Sequence, residues 1–269
     1  MSEFISLYSG SSGNSSVVRC GERYLIIDMG KGVRTTSAAL KALDLNISDC
    51  AGILVTHEHS DHVKGLSTFL KKNPLPVYGA AATLDFLDAN GIVPVSCELR
   101  SLSGGEEDIG DFGVTAFPTS HDVPCVGYRI HTPDDKTMTI ATDLGVLTPP
   151  VHEALSGCDL VALESNYDLH MLRSGPYPYY LRSRIESQRG HLSNDECWNS
   201  SKRAAKSSRS ATSRRRTTPP SWHCRPFSAP SAPPVSCPIR TALSRPSAEM
   251  RSARRWSFKA PGCCPHRVL

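Results

Sequence analysis

Acidic residues all but vanish after residue 198. Residues 199–269 hold 15 Lys and Arg against a single Asp or Glu, a net of +14, while residues 1–198 hold 15 against 25, a net of −10. The overall charge of +4 over 269 residues is therefore the sum of two unlike pieces. Long apolar runs are also missing, and none approaches the length of a bilayer span, so a helical membrane protein is not expected. The N-terminal stretch MSEFISLYSGSSGNSS has neither a basic region nor a long apolar one, which argues against secretion and leaves a cytoplasmic location as the default. Cysteine occurs without CxxC spacing among Cys20, Cys50, Cys97, Cys125, Cys158 and Cys197, which excludes a zinc knuckle or a disulfide scaffold there. These six read as reduced, mostly buried apolar residues.

What is present is enough for a core in part of the chain, since 39% of residues are apolar. FISLYS, SVVRC, YLIID and GILVT read as strands, with the Ser/Gly-rich SGSSGNSS as a loop between the first two. TTSAALKALDL and HVKGLSTFLKK carry apolar residues at helical spacing. FGVTAF, VGYRIHT, KTMTIATD and DLVALES read as later strands, with a helix near PPVHEALSG. Strands with interspersed helices and no strict alternation predict an α/β fold, a layered sandwich of sheets flanked by helices. Ser193-Asn-Asp-Glu196 has the form of a capping box, so a helix is expected from about residue 194.

The strongest chemical signal is Thr56-His-Glu-His-Ser-Asp-His62, placed between an apolar strand and a helix. Three imidazoles and a carboxylate in one strand-to-helix turn can converge on one point, and they are the donors that zinc prefers and manganese tolerates. A chance polar turn explains one histidine but not HxHxDH in this setting. Two further candidates close strands: His121 after FGVTAF, and Asp143 at the end of KTMTIATD. Each alone is more often an ordinary loop residue, and it is their combination with HxHxDH that points to a site.

HxHxDH, then a lone His, then an Asp at a strand end, resembles the ordered ligand set of the metallo-β-lactamase superfamily. The Ser-Gly-Ser-Ser-Gly-Asn-Ser segment, LIIDMG, GPYPYYLRSRI and RGHLSN make residues 1–198 similar to its YycJ-like branch of DNA exonucleases. The resemblance implies an αββα sandwich holding two divalent ions, zinc or manganese. It implies that His57, His59 and His121 hold one ion, that Asp61 and His62 hold the other, and that Asp143 bridges. It also implies that Asp61 orients a metal-activated hydroxide. Asp28 would fix a ligand His through its other ring nitrogen, or else simply cap the turn at MGKG. Asn14, Asn166 and His191 fall in segments that match the branch and are candidate contacts to substrate phosphate or sugar, although turn hydrogen bonding and a structural place near the helix start explain them as well. Tyr177, Tyr179, Tyr180, Arg182 and Arg184 suit single-stranded DNA or, alternatively, a helix with a solvated basic face.

The implied activity is a 5′–3′ exonuclease acting on DNA. The same ligand geometry serves thioesterases, lactonases and lactamases, so the fold does not choose among them. Arg182, Arg184 and Arg189 favour an anionic polymer, and the acidic balance of residues 1–198 works against one.

The chain departs from the family after Trp198. A late strand carrying one more His is expected there, but His223 and His266 lack an apolar lead-in, and residues 199–269 carry 10 of the 20 Pro without periodicity. This stretch reads as a disordered basic tail, leaving the sandwich incomplete at its C-terminal side. A frame change in the gene near residue 198 accounts for a pattern that stops in mid-helix, and an inactive truncated product is the alternative to a working enzyme. An Arg-rich tail that binds nucleic acid is the competing origin.

Overall fold

The computed structural model describes residues 1–200 and the backbone of two later strands, 221–226 and 254–257. The first half forms β1 (Ser2–Tyr8), β2 (Ser15–Cys20), β3 (Arg23–Ile27), α1 (Val33–Ala42), β4 (Cys50–Val55), α2 (Ser60–Val63), α3 (Leu66–Leu70), β5 (Val77–Gly79), α4 (Ala81–Ala89) and β6 (Leu99–Ser101). The second half forms β7 (Glu106–Ile109), β8 (Phe112–Thr119), β9 (Cys125–Thr132), β10 (Lys136–Ala141), α5 (Pro149–Leu155), β11 (Leu160–Ser165), α6 (Leu169–Ser174) and α7 (Tyr179–Ile185). Residues 194–200 form α8, and β12 (Ser221–Pro226) and β13 (Arg254–Ser257) complete the strands.

The strands make two sheets, in the orders β13-β1-β2-β3-β4-β5-β6 and β12-β11-β10-β9-β8-β7. Strands buried on both faces explain why the sequence reads as near-continuous apolar runs rather than clean alternation. The period of two is still at work. Leu25, Ile27 and Leu54 face Val114, Tyr128, Ile130 and Ile140 across the sandwich, whereas Tyr24, Ile26, Ile53 and Val55 pack outward on Leu40, Leu66, Phe69 and Leu84 of α1, α3 and α4. On the far side, Val151, Ala154 and Leu155 of α5 and Cys197 of α8 cover Val161 and Leu163. The result is the expected αββα layering.

The single helix expected over HVKGLSTFLKK is split into α2 and α3. The Gly65 N–H is drawn to the Met29 carbonyl at 2.9 Å, and a Cβ on Gly65 would stand 1.8 Å from the Lys31 carbonyl oxygen. Gly30 allows a similar approach from the other side: a Cβ there would lie 1.7 Å from the Asp61 carbonyl oxygen. Asn14 N donates to Asp61 O at 2.7 Å and Met29 N to His62 O at 2.7 Å, so the Ser/Gly loop and the MGKG turn clamp the HxHxDH turn from both ends.

The capping box forms as its residue pattern predicts. Ser193 Oγ donates to Glu196 Oε2 at 2.7 Å, Glu196 N donates to Ser193 Oγ at 3.2 Å, and Ser193 N donates back to Glu196 Oε2 at 3.2 Å. Two readings are corrected. Cys197 is disulfide-bonded, whereas Cys20, Cys50, Cys97, Cys125 and Cys158 are free thiols; cysteine pairing is not legible from spacing alone. And His223 does lie on a strand: β12 runs parallel to β11 with His223 opposite Ala162, while β13 pairs antiparallel with β1. Pairing at a sheet edge uses backbone groups and needs no apolar period, which is why the composition of this stretch gave no sign of it. His266 and the remainder of 201–269 lie outside the described residues.

Candidate metal centre

The implied ligands gather where strands of both sheets end. His57 follows β4, His121 follows β8, Asp143 follows β10, and His59, Asp61 and His62 occupy the turn into α2 and its start. Asp28, after β3, and Asp143 both hold left-handed backbone, at φ 58° and 55°. That conformation is costly for a residue with a side chain, although Asp tolerates it better than most, and it turns each carboxylate inward over its strand end.

Three ring nitrogens converge. His57 Nε2 lies 3.0 Å from His59 Nδ1, and His121 Nε2 lies 3.4 Å from the same atom. A second group forms beside it, with His62 Nε2 3.3 Å from Asp143 Oδ2 and 3.6 Å from Asp61 Oδ2. These spacings suit donors around an ion bound at about 2.0–2.2 Å to nitrogen and oxygen.

More telling is what the outward nitrogens do. His57 Nδ1 meets Thr56 Oγ1 at 2.9 Å, and His62 Nδ1 meets Asp28 Oδ2 at 2.8 Å. His121 Nδ1 meets the Gly190 carbonyl at 3.2 Å, and His59 Nε2 faces Asp122 Oδ1 at 3.4 Å. Each ring thus has an oxygen partner on its far side, the arrangement that fixes a ligand histidine's orientation; on the inward side, Asp122 Oδ1 also lies 3.2 Å from His121 Nε2. Asp28 does more than cap a turn, because its carboxylate also accepts from Thr56 N at 2.8 Å and Thr56 Oγ1 at 2.9 Å.

The electrostatics follow from burial and from the carboxylates. His57 and His121 are pushed below the ordinary imidazole range, chiefly by burial. His62 is equally buried, but Asp143, Asp28 and Asp61 outweigh that penalty and raise it to about 9. For Asp143 burial works upward, and the surrounding rings, His62 first among them, hold it below the usual carboxylate range.

The site opens into a cleft of about 340 Å³, walled on one side by Ser9, Ser11, Asn14 and Asp61 and on the other by Tyr177, Leu181, Arg184, Arg189 and His191. Asn14 is tied into the site itself: its Oδ1 accepts from Gly10 N at 2.9 Å, and its Nδ2 lies 3.1 Å from both Asp61 Oδ2 and His62 Nε2. Asn166 donates to Glu164 Oε1 at 3.1 Å. His191 Nδ1 reaches the same Glu164 oxygen at 2.6 Å and lies 3.7 Å from Asp143 Oδ1. Burial opposes a charge on His191, but Glu164 and Asp143 raise its pKa.

Sequence reasoning missed Glu164, Asp122 and Thr56. The signal for Glu164 was available: like Asp28 and Asp143, it is an acid standing at the end of a buried apolar strand. The arginines also behave differently from a free basic rim. Arg184 is spent on Asp122, with Nη2 at 2.5 Å and Nε at 3.1 Å, and Arg182 donates to the Arg173 carbonyl. Arg189 donates to the carbonyls of His121 and Asp122, both at 2.9 Å, so its charge meets no carboxylate in these bonds.

Comparison with known proteins gives the same direction. The family model described as a beta-lactamase superfamily domain matches residues 23–209. The chain is 36% identical over 195 residues to the exodeoxyribonuclease YycJ of Bacillus anthracis, covering 72% of this chain and 74% of that one. It is 31% identical over 193 residues to the exodeoxyribonuclease WalJ of Streptococcus pneumoniae, covering 71% and 72%. The crystal structure of the metallo-beta-lactamase fold protein YhfI from Bacillus subtilis superposes with a TM-score of 0.59 at 17% identity, over 75% of this chain and 82% of that one, and it speaks for the fold alone.

Proposed function

The chain belongs to the β-lactamase superfamily and is a metal-dependent hydrolase of that fold, and from that premise we propose that it is a phosphodiesterase that removes nucleotides from the 5′ end of DNA. The observation that carries the hydrolytic part is the set of inward ring nitrogens on His57, His59, His121 and His62, each ring braced from behind by an oxygen. In this reading His57, His59 and His121 would hold one divalent ion, zinc or manganese. Asp61 and His62 would hold the second, and Asp143 would serve both.

When bound, the ions supply positive charge to a phosphoryl group and lower the pKa of water. The chain's own residues do the rest. Asp61, fixed by Asn14, stands at the cleft wall and orients the attacking water. Glu164 accepts from the His191 ring and raises its pKa, which favours the form that offers a second N–H to the phosphate as negative charge builds on its oxygens. Arg189 adds a cation on the same wall. Asn14 and Asn166 serve the substrate through the residues they position, Asp61 and Glu164.

DNA as substrate is supported by the two exodeoxyribonuclease relatives and by the wall itself. Tyr179 and Tyr180 of α7 are 78% and 73% exposed beside the cleft residue Tyr177, a surface on which unpaired bases can stack. The test uses the full chain loaded with zinc or manganese and single-stranded DNA labelled at either end, with RNA of the same sequence, a thioester and a β-lactam in parallel. Metal-dependent release of nucleotides from the 5′ end is expected. Cleavage of the thioester or the lactam alone would end the phosphodiesterase reading, and preference for RNA would end the DNA assignment.

A further inference from the structure

Asp122 is not among the implied ligands, but it faces His59 from behind and lines the cleft. Its Oδ1 is buried and makes no well-formed hydrogen bond. Close to that atom stand ring nitrogens of two implied ligands, the outward His59 Nε2 at 3.4 Å and the inward His121 Nε2 at 3.2 Å. Its Oδ2 is gripped by Arg184 of α7 through two guanidinium nitrogens. The Arg184 grip leaves Oδ1 as the carboxylate oxygen turned toward the rings.

The same stretch of chain braces a second ring. The Gly190 carbonyl faces His121 Nδ1, Arg189 donates to the carbonyls of His121 and Asp122, and Ser120 Oγ donates to Gln188 O at 2.8 Å. His57 and His62, by contrast, take their partners from strand ends deep in the sandwich, Thr56 and Asp28. Two of the three histidines of the first ion site are therefore oriented from the wall that faces substrate.

We propose that Asp122, held by Arg184, is the positioning residue for His59, so that the seat of α7 and the affinity of the first ion site form one coupled unit. This rests on the metal reading given above. An imidazole whose far N–H donates to a carboxylate is more basic at its ligating nitrogen and is held in one rotamer, and loss of such a partner typically costs about 10- to 100-fold in metal affinity. The Arg184–Asp122 pair is partly open to solvent, so its direct contribution to folding is small. Its effect should appear in the ion site and not in global stability.

The test measures Co²⁺ binding to the full chain by its visible absorption and by competition with a chromophoric chelator. The variants are Asp122→Asn, Arg184→Ala and Arg184→Lys, with thermal unfolding of each metal-free protein alongside. Asp122→Asn should weaken the tighter Co²⁺ site by about 10- to 100-fold while the unfolding temperature holds. Arg184→Ala should move affinity the same way, with Arg184→Lys between it and the native chain, and the double variant should fall short of the sum. Should Asp122→Asn fail to fold, the Arg184 pair carries the same comparison. Native-like affinity in both Asp122→Asn and Arg184→Ala overturns the coupling and leaves the metal reading standing. Absence of Co²⁺ binding in the native chain overturns both. A shifted absorption band with reduced intensity in Asp122→Asn would mark Asp122 as an ion ligand itself, which also overturns the positioning role.

Discussion

Asp28 Oδ2 receives the Nδ1 proton of His62 at 2.8 Å, joining the end of β3 to the far side of the HxHxDH turn across a buried gap of 34 residues in sequence. The same carboxylate takes Thr56 N and Thr56 Oγ1, so one side chain fixes both the entry to the turn and the ring that closes it. Asp28→Asn keeps the shape but offers an amide N–H₂ where an acceptor is needed. Leaving a buried donor facing a donor costs on the order of 1–3 kcal/mol. The variant should therefore melt several degrees lower without metal and bind zinc roughly tenfold more weakly. Unfolding curves and a chelator competition read both effects, and an unchanged zinc affinity would remove Asp28 from the site.

The carboxylates around His62 set how metal uptake responds to pH. In the metal-free chain His62 keeps its proton up to about 9, whereas burial leaves His57 and His121 neutral well below that. An ion bound at Nε2 requires the neutral ring, so loading must displace the His62 proton. Affinity at this site should rise with pH by up to about tenfold per unit and level off near 9. Calorimetry with Mn²⁺ in two buffers of different ionisation enthalpy, at pH 6.5 to 8.5, counts the proton released. Uptake without proton release would mean that His62 is not a ligand.

Glu164 is read here as the support for His191 and not as an ion ligand, because its oxygens are already committed. Oε2 accepts from Leu144 N at 2.9 Å and Leu192 N at 3.2 Å, and Oε1 accepts from His191 and Asn166. Glu164→Gln removes the carboxylate charge that raises the His191 pKa. Turnover on DNA should fall by roughly 100-fold, the scale for losing one charge-stabilising donor. Bound metal per chain, measured by atomic emission, should stay at the native value. Metal loss in this variant would instead place Glu164 among the ligands.

Residues whose job is visible in one local pattern were legible from sequence. HxHxDH announces itself because three donors of one type crowd a strand-to-helix turn, and the capping box at Ser193 and Glu196 needs only its own four residues. The long apolar strands and the layering they imply were legible for the same reason. Short elements were not: β5, β6 and β7 hold three or four residues each, too few to display a period. Partners set by tertiary approach were not legible either. Glu164 meets His191 across 27 residues and Arg184 meets Asp122 across 62, and nothing in either local segment specifies the other.

The two late strands bear on where the folded unit ends. The change in composition at residue 198 divides the chain into a domain and a tail, yet β12 pairs with β11 and β13 pairs with β1, one at the edge of each sheet. Every residue of β1 and of β11 is buried. A chain ending at Ser200 would leave both strands with a row of unpaired backbone donors and acceptors on apolar edges, the condition that promotes association between copies. Compared with the full chain in reducing buffer, which sets aside the disulfide of Cys197, the shortened chain should elute as large aggregates in size exclusion and lose its cooperative unfolding. A soluble, monomeric product with the native melting temperature would show that β12 and β13 add nothing to the fold and that residues 1–198 stand as a domain by themselves.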